Sequence, residues 1–213
     1  MYVVSAFRRT THGPAKAGHY VRVENALIGS AIDAARSGDI LFYRQTELPP
    51  GKYTVDAVAY DAGAAAASVK SFPLEVPGAD AAGTVLSSLV VIDHVERVPA
   101  AERDAKNPLY FGETLVYPSM GEPLHRAGKL MGYYFTAHAP GAARKALLEV
   151  MHGGQVANRL MLNLAAPDGQ GRVQNAGTLP LDSLAPGAYE LRVSLLDGAQ
   201  RLATRSTPFT VAE

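Results

Sequence analysis

The chain contains the sequence LPPGKYTV at residues 48–55 and a near copy, LAPGAYEL, at residues 184–191. In both copies an aspartate, Asp61 or Asp197, follows the glycine at the same distance. Each copy is also followed by a second strand-like run, SFPLEV at residues 71–76 and STPFTV at residues 206–211. The repeat predicts two units, each with a turn, a long strand, a turn and a closing strand.

The shared Leu-x-Pro-Gly-x-Tyr pattern is typical of the tyrosine corner of Greek-key sandwiches. Proline fixes φ, glycine allows the turn, and the tyrosine packs inward while its hydroxyl bonds a main-chain group a few residues upstream. Each following strand alternates, which predicts one core-facing row per unit. The two rows are Tyr53, Val55, Ala57, Ala59 and Tyr189, Leu191, Val193, Leu195.

Short apolar runs separated by turn residues predict the remaining strands. They lie at residues 87–95, 113–117, 130–137, 146–152, 155–164 and 172–181. This spacing favours an all-β fold, which we interpret as two tandem immunoglobulin-like or fibronectin-III-like β-sandwiches.

One segment, residues 26–37, has a helical stripe followed by Gly38 and predicts a short helical insertion in the first sandwich. A run rich in small and turn-forming residues predicts a linker at 78–85. The expected domains are therefore residues 1–77 and 86–213.

Composition excludes several classes of function. The 213 residues include 20 Lys and Arg and 20 Asp and Glu, so the formal net charge is zero, and no basic stripe suits nucleic acid. The absence of cysteine excludes disulfides and thiolate metal sites. No signal peptide is recognisable, and no apolar run approaches the roughly 18 residues of a membrane span, so the compartment stays open.

The histidines give no metal motif, because H-E-x-x-H does not occur. Strand alternation places His94 and Glu96 on one face, but two ligands do not make a metal site, and we interpret them as a solvated surface. The other histidines fall in or beside predicted turns and receive no role: His12, His19, His125, His138 and His152.

Catalytic motifs are also not found. Ser119 lies in a turn without the strand-to-helix elbow of a hydrolase. The Gly169-Gln170-Gly171 run precedes a strand instead of a helix, which predicts a hairpin turn and not a phosphate site. Glu47 and Asp56 flank the first corner without a cleft. We therefore predict no catalytic residue, no cofactor site and no metal site.

Aromatic residues and one long connection offer binding surfaces. In the run Tyr133-Tyr134-Phe135, alternation directs Tyr133 and Phe135 to the core and leaves Tyr134 as at most a single exposed ring for a sugar. The charged stretch at residues 99–108 is either a partner-binding loop or an ordinary surface connection.

Several segments resemble the C-terminal region of bacterial VWFA-related domain proteins. They are SGDILFYR at residues 37–44, the corner at 48–53, LSSLVV at 86–91, and residues 179–211. The resemblance implies β-sandwich modules that follow a von Willebrand factor A domain in an exported, hence secreted or periplasmic, protein.

The metal-binding pattern of the von Willebrand A domain itself, Asp-x-Ser-x-Ser, does not occur: the serines are missing after Asp33, Asp61, Asp93 and Asp182. The chain is then either a piece of a longer product or a separately encoded partner. We expect a non-catalytic spacer or docking module with a protein partner. A carbohydrate- or ligand-binding sandwich is the alternative, and a hydrolase with an unrecognised site is the third hypothesis.

Overall fold

The computed structural model describes residues 2–9, 20–26, 48–61, 63–76, 78, 83–103, 109–127, 130–138, 145–169 and 171–213. The chain divides into two compact units, Met1–Gly78 and Ala79–Glu213. Most of the described residues are in strands, and the one helix among them is the three-residue 3₁₀ turn Ala100–Glu102. Within this described part, therefore, no helix is able to span a membrane. The predicted all-β, sandwich-like class is confirmed.

The first unit contains one antiparallel sheet in its described residues, with the order β2-β1-β3-β4. The strands are β1 (Tyr2–Arg9), β2 (Tyr20–Ala26), β3 (Gly51–Asp61) and β4 (Ala66–Val76). Tyr53 and Val55 are buried, as the alternation of β3 predicts, whereas Ala57 and Ala59 of the predicted row are only half-buried. A second layer in this unit stays a prediction. Ala26 ends β2, and the rest of the predicted helical insertion, residues 27–37, lies outside the described residues.

The second unit contains two sheets. The strands of the first half are β5 (Val85–Leu86), β6 (Val90–Arg97), β7 (Tyr110–Phe111), β8 (Thr114–Pro118), β9 (Leu124–His125) and β10 (Leu130–His138). Those of the second half are β11 (Lys145–His152), β12 (Gln155–Asn163), β13 (Arg172–Pro180), β14 (Gly187–Asp197) and β15 (Gln200–Ala212). The six predicted strands match β6, β8, β10, β11, β12 and β13 to within a few residues at each end.

The two sheets of this unit differ in order. The six-stranded sheet runs β13-β10-β6-β8-β7, with β5 pairing to β10, and the five-stranded sheet runs β12-β11-β14-β15-β9. The chain crosses from the first sheet to the second between β13 and β14, which is where the LAPGAYEL corner lies. Val85, the last residue of the predicted linker 78–85, belongs to β5 and pairs with His138.

One apolar core lies between these sheets and draws side chains from both. The six-stranded sheet contributes Leu86, Val91, Met131, Tyr133, Phe135, Ala137 and Leu179. The five-stranded sheet contributes Ala146, Leu148, Val150, Tyr189, Leu191, Val193, Leu195, Phe209 and Val211. The predicted inward row of β14 is thus confirmed, and its burial removes a large apolar area from water.

Both tyrosines of the repeat make the hydrogen bond that defines a tyrosine corner. The Tyr53 hydroxyl donates to the Pro49 carbonyl at 2.7 Å, and the Tyr189 hydroxyl donates to the Ala185 carbonyl at 2.8 Å. In each case the acceptor lies four residues upstream. Both rings are buried, and each hydroxyl bonds a carbonyl of the loop that precedes its strand, so neither group is left without a partner.

Replacing either corner tyrosine with phenylalanine is expected to lower the free energy of unfolding by about 1 kcal/mol, because one partly buried hydrogen bond is lost. Urea denaturation of the Tyr53→Phe and Tyr189→Phe variants measures the change. Tyr133→Phe is the matched control, since Tyr133 is equally buried but makes no hydrogen bond with its hydroxyl in the described structure. Equal stabilities for all three variants and the wild type would contradict the corner assignment.

The turn between Asp168 and Arg172 has the local hydrogen bonds of the predicted hairpin turn. The Asp168 N–H donates to the Arg172 carbonyl at 2.8 Å, and the Gly171 N–H donates to the Asp168 carbonyl at 2.9 Å. The adjoining strands β12 and β13 lie in different sheets and do not pair, so this turn carries the chain between the two sheets. The Gly-x-Gly run therefore indicates the local turn but not which strands pair.

The sequence leaves Tyr134 as at most a single exposed ring, but its side chain is buried and only 4% exposed. It belongs to a second, smaller cluster with Ile92 and Val116 on the outer face of the six-stranded sheet. The β7 segment covers this face: Phe111 packs edge-on against Tyr134 with ring centroids 6.3 Å apart. The predicted inward positions of Tyr133 and Phe135 are confirmed.

Candidate functional site

A β-bulge in β6 creates the most distinctive polar surface of the second unit. The register between β6 and β8 shifts between Ile92 and His94, so Asp93 is the extra residue. A bulge redirects side chains that would otherwise alternate. Consequently the Asp93 carboxylate accepts a hydrogen bond from Nδ1 of the adjacent His94 at 2.7 Å. Both side chains are exposed.

Tyr117, on the neighbouring strand β8, joins this pair. Its ring stacks on the His94 ring with centroids 4.2 Å apart and an angle of 11° between the planes. Its hydroxyl donates to the Glu96 carboxylate at 2.9 Å. Because Tyr117 contacts both, His94 and Glu96 lie on one face, as strand alternation predicts. We call Asp93, His94, Glu96 and Tyr117 the His94 cluster.

The electrostatics of the cluster follow from its two carboxylates. The hydrogen bond to Glu96 is the largest cause that raises the pKa of Tyr117 above its ordinary value, and partial burial adds to it. A phenol is protonated near neutral pH even at its ordinary pKa, so Tyr117 donates this hydrogen bond. Across the described residues, no three His, Asp or Glu side chains come close enough to hold a metal ion. The His94 cluster is a pair of stacked aromatic rings with the carboxylates of Asp93 and Glu96 beside them.

An ion-pair network borders the cluster at the far end of β6. Glu113 pairs with Arg97 at 2.7 Å and with Arg103 at 3.3 Å. The hydrogen bonds from Arg97 and then Arg103 hold the pKa of Glu113 below its ordinary value. Arg103 also donates to the Val98 carbonyl at 2.9 Å, which ties down the start of the connection at residues 99–108. Residues 104–108 of that connection lie outside the described residues.

A shallow cleft of about 380 Å³ adjoins the cluster and shares Asp93 with it. Ser119, Glu122 and His125 line it together with an apolar wall that includes Leu130. Neither Ser119 nor His125 lies in a recognisable sequence motif, but the fold brings both to this cleft.

The bonding of these two side chains does not resemble that of a nucleophile and its base. The Ser119 hydroxyl accepts from the Gly121 N–H at 3.4 Å, as in a local turn. Nδ1 of His125 donates to the main-chain oxygen of Glu213 at 3.0 Å. Among the described hydrogen bonds, none joins Ser119 to a histidine. The third hypothesis, a hydrolase, therefore gains no geometric support from this cleft.

The other residues considered from the sequence lie apart from the cluster. Asp56 accepts a hydrogen bond from the Ser71 hydroxyl at 2.6 Å on the first sheet, and Glu47 lies outside the described residues. The His152 ring packs on Tyr189 with ring centroids 4.6 Å apart, and its Nδ1 donates to the Ala188 carbonyl at 3.1 Å. His152 is therefore part of the second tyrosine corner. His12, His19 and Gln170 also lie outside the described residues.

Sequence reasoning missed Asp93 and Tyr117 as members of the surface. Asp93 should point away from His94 by alternation, and only the bulge reverses this. Tyr117 is opposite His94 in the β6–β8 pairing, and that pairing is not visible in the sequence. The Asp93-His94-Val95-Glu96 run was the only available signal.

Comparison of the chain with models of known protein families, with curated proteins and with solved structures found no match in any of the three.

Proposed function

We propose that this chain is a non-catalytic interaction module, in which the second sandwich holds the His94 cluster as a docking surface for a protein partner. The proposal rests on the flat His94–Tyr117 stack, in which His94 is exposed and Tyr117 is half-buried, with Asp93 and Glu96 beside it. Rigid strands position these four side chains, as binding surfaces require.

The chemistry of the cluster selects a cationic partner. Aromatic faces attract arginine and lysine side chains, and the two flanking carboxylates add a direct ion pair. Each carboxylate uses one described hydrogen bond within the cluster, to His94 or to Tyr117, and a carboxylate accepts several. An arginine of the partner would therefore stack on the rings and bond the remaining oxygen sites.

The resemblance to VWFA-related proteins supports a von Willebrand factor A domain as this partner, with the two units as spacer and docking region. The test is isothermal titration calorimetry of the chain against a purified von Willebrand factor A domain from the same source organism. The proposal expects binding, and it expects the double variant Asp93→Asn and Glu96→Gln to weaken it about tenfold or more, since charged hydrogen bonds are lost.

Asp197→Asn is the matched control, because Asp197 is an exposed carboxylate at the end of β14, on the other sheet of the same unit. It should leave the affinity unchanged. The absence of any heat of binding would refute the von Willebrand A partner. Binding that the double variant does not weaken would refute the cluster as the docking surface.

A glycan is the second candidate ligand, because sugars pack on aromatic rings and the half-buried Tyr117 ring lies at the surface beside His94. The site for this alternative moves from Tyr134, which is buried, to Tyr117. A glycan array probed with the wild type and with Tyr117→Leu distinguishes a glycan ligand from a protein partner. Hits that disappear in the variant support a sugar site, and an array without hits removes it.

A further inference from the structure

The hydrogen bond between His94 and Asp93 fixes which ring nitrogen of the histidine carries the proton. An ionised carboxylate has no hydrogen to donate, so Nδ1 of His94 is the donor in this 2.7 Å bond. In the neutral ring Nε2 then keeps a free lone pair, and among the described residues no hydrogen bond reaches it. Nε2 therefore takes up the second proton when the ring becomes charged, and it changes from an acceptor to a donor.

Histidine is also the residue type of the cluster that changes its charge within the physiological range. Carboxylates titrate near about pH 4 and phenols near about pH 10, whereas histidine titrates between about pH 5 and 8. For Tyr117, the bond to Glu96 raises the pKa still further. The His94 side chain is 59% exposed, so water delivers a proton to it directly.

The titratable and charged groups around His94 are acidic, phenolic or already paired, apart from one second histidine. That histidine, His125, lies in the adjoining cleft, where its Nδ1 donates to the main-chain oxygen of Glu213. In the described contacts only His94 touches members of the cluster. The full set is Asp93 and Glu96 on β6, Tyr117 on β8, Tyr110 on β7, Glu122 and His125 in the cleft, and Glu113 with its partners Arg97 and Arg103.

We propose that His94 makes docking at this cluster pH-dependent, so that protonation at Nε2 releases a cationic partner that binds the neutral ring. This inference rests on the proposed function, because it takes the partner to present an arginine. A guanidinium only donates hydrogen bonds, so it can bond the lone pair of the neutral Nε2 but not the protonated nitrogen. Protonation also cancels one of the two negative charges that attract the arginine, those of Asp93 and Glu96.

The size of the effect follows from the distance at which the two cations would lie. Two like unit charges about 4 Å apart in water repel each other enough to change a binding constant about fivefold. Loss of the hydrogen bond to Nε2 adds to this repulsion. The affinity for an arginine ligand should therefore fall at least about fivefold between about pH 7.5 and about pH 5.5.

Binding measurements on the full chain at these two pH values test the proposal with two ligands. Calorimetry follows the purified von Willebrand factor A domain, and NMR chemical shifts follow the small probe acetyl-arginine amide. The variant His94→Phe keeps a ring for stacking but has no nitrogen to protonate, so its affinity should change less than about twofold between the two pH values. Circular dichroism at both pH values checks that each protein stays folded.

Two matched histidine variants locate the effect. His125→Gln removes the histidine of the adjoining cleft, and His138→Gln removes an exposed histidine at the opposite end of β10 from the cleft residue Leu130. Both variants should keep the full pH dependence of the wild type. Loss of the dependence in His125→Gln, or its survival in His94→Phe, would overturn the proposal.

The two ligands separate a failure of the switch from a failure of the proposed partner. Wild-type binding that is equally tight at both pH values would refute the switch and leave the docking surface standing. If only acetyl-arginine amide binds, and binds more weakly at the lower pH, the switch is supported and the von Willebrand A partner is refuted. Binding of neither ligand would overturn both proposals. Long-range ¹H–¹⁵N NMR of the histidine rings gives a direct check, because a His94 proton on Nε2 instead of Nδ1 at the higher pH would also overturn the switch.

Discussion

Replacing Phe135 with alanine is expected to lower the free energy of unfolding of the second unit by about 3–5 kcal/mol. Phe135 is 0% exposed and lies in the core between the two sheets, stacked on Tyr133 with ring centroids 6.5 Å apart. Removal of the ring loses the free energy gained by moving it from water into the core. It also leaves a cavity, which the two sheets cannot close because hydrogen bonds hold the strands within each of them. Urea denaturation followed by circular dichroism measures the loss.

Leu130→Ala is the matched control for this prediction, because Leu130 lies on the same strand, β10, but is 62% exposed. Its replacement should change the free energy of unfolding by less than about 0.5 kcal/mol. If Phe135→Ala were no more destabilising than Leu130→Ala, the core between the two sheets would not be the main source of stability of this unit.

The sequence predicts most strands because two local signals coincide. In β14, apolar residues alternate from Tyr189 to Leu195, and the preceding Pro186-Gly187 turn fixes where the strand begins. The β11–β12 hairpin is predicted by Gly153 and Gly154, which adopt φ values of 56° and 80° that glycine tolerates best. Such features depend on neighbours in the chain, so no knowledge of the fold is required.

Features that depend on distant residues could not be predicted. Tyr134 is buried because the β7 segment folds over it, and Gln174 fixes that segment by donating to the Tyr110 carbonyl, 64 residues away in sequence, at 2.9 Å. The His94 cluster likewise needs the β6–β8 pairing and the bulge at Asp93. Alternation assigns a face of the strand, but it does not say which segment covers that face.

The reason for a glycine inside a strand can also lie in a distant residue. Gly177 is such a case, and its replacement is expected to have a large effect on the free energy of unfolding. Gly177 lies in the middle of β13, directly opposite Tyr133 of β10. A Cβ at position 177 would lie 2.7 Å from Cζ of Tyr133 and nearer still to its hydroxyl oxygen. The Tyr133 ring occupies the space that a side chain would need, and it is itself buried in the core.

Gly177→Ala is therefore expected to lower the free energy of unfolding by about 1–3 kcal/mol, because the ring must leave its packed position to admit one methyl group. Alanine favours a strand more than glycine does, so propensity alone predicts the opposite sign. Gly169→Ala, with no atom within 4 Å of the added Cβ, controls for the substitution itself and should be nearly neutral.

Coupling to Tyr133 identifies the cause of the loss. In a Tyr133→Leu background the obstructing ring is gone, so Gly177→Ala should cost much less than it does in the wild type, with a coupling free energy of at least about 0.5 kcal/mol. Urea denaturation of the four proteins in this cycle measures it. Equal costs in both backgrounds would mean that the ring does not exclude a side chain at position 177, and that glycine is retained there for its backbone alone.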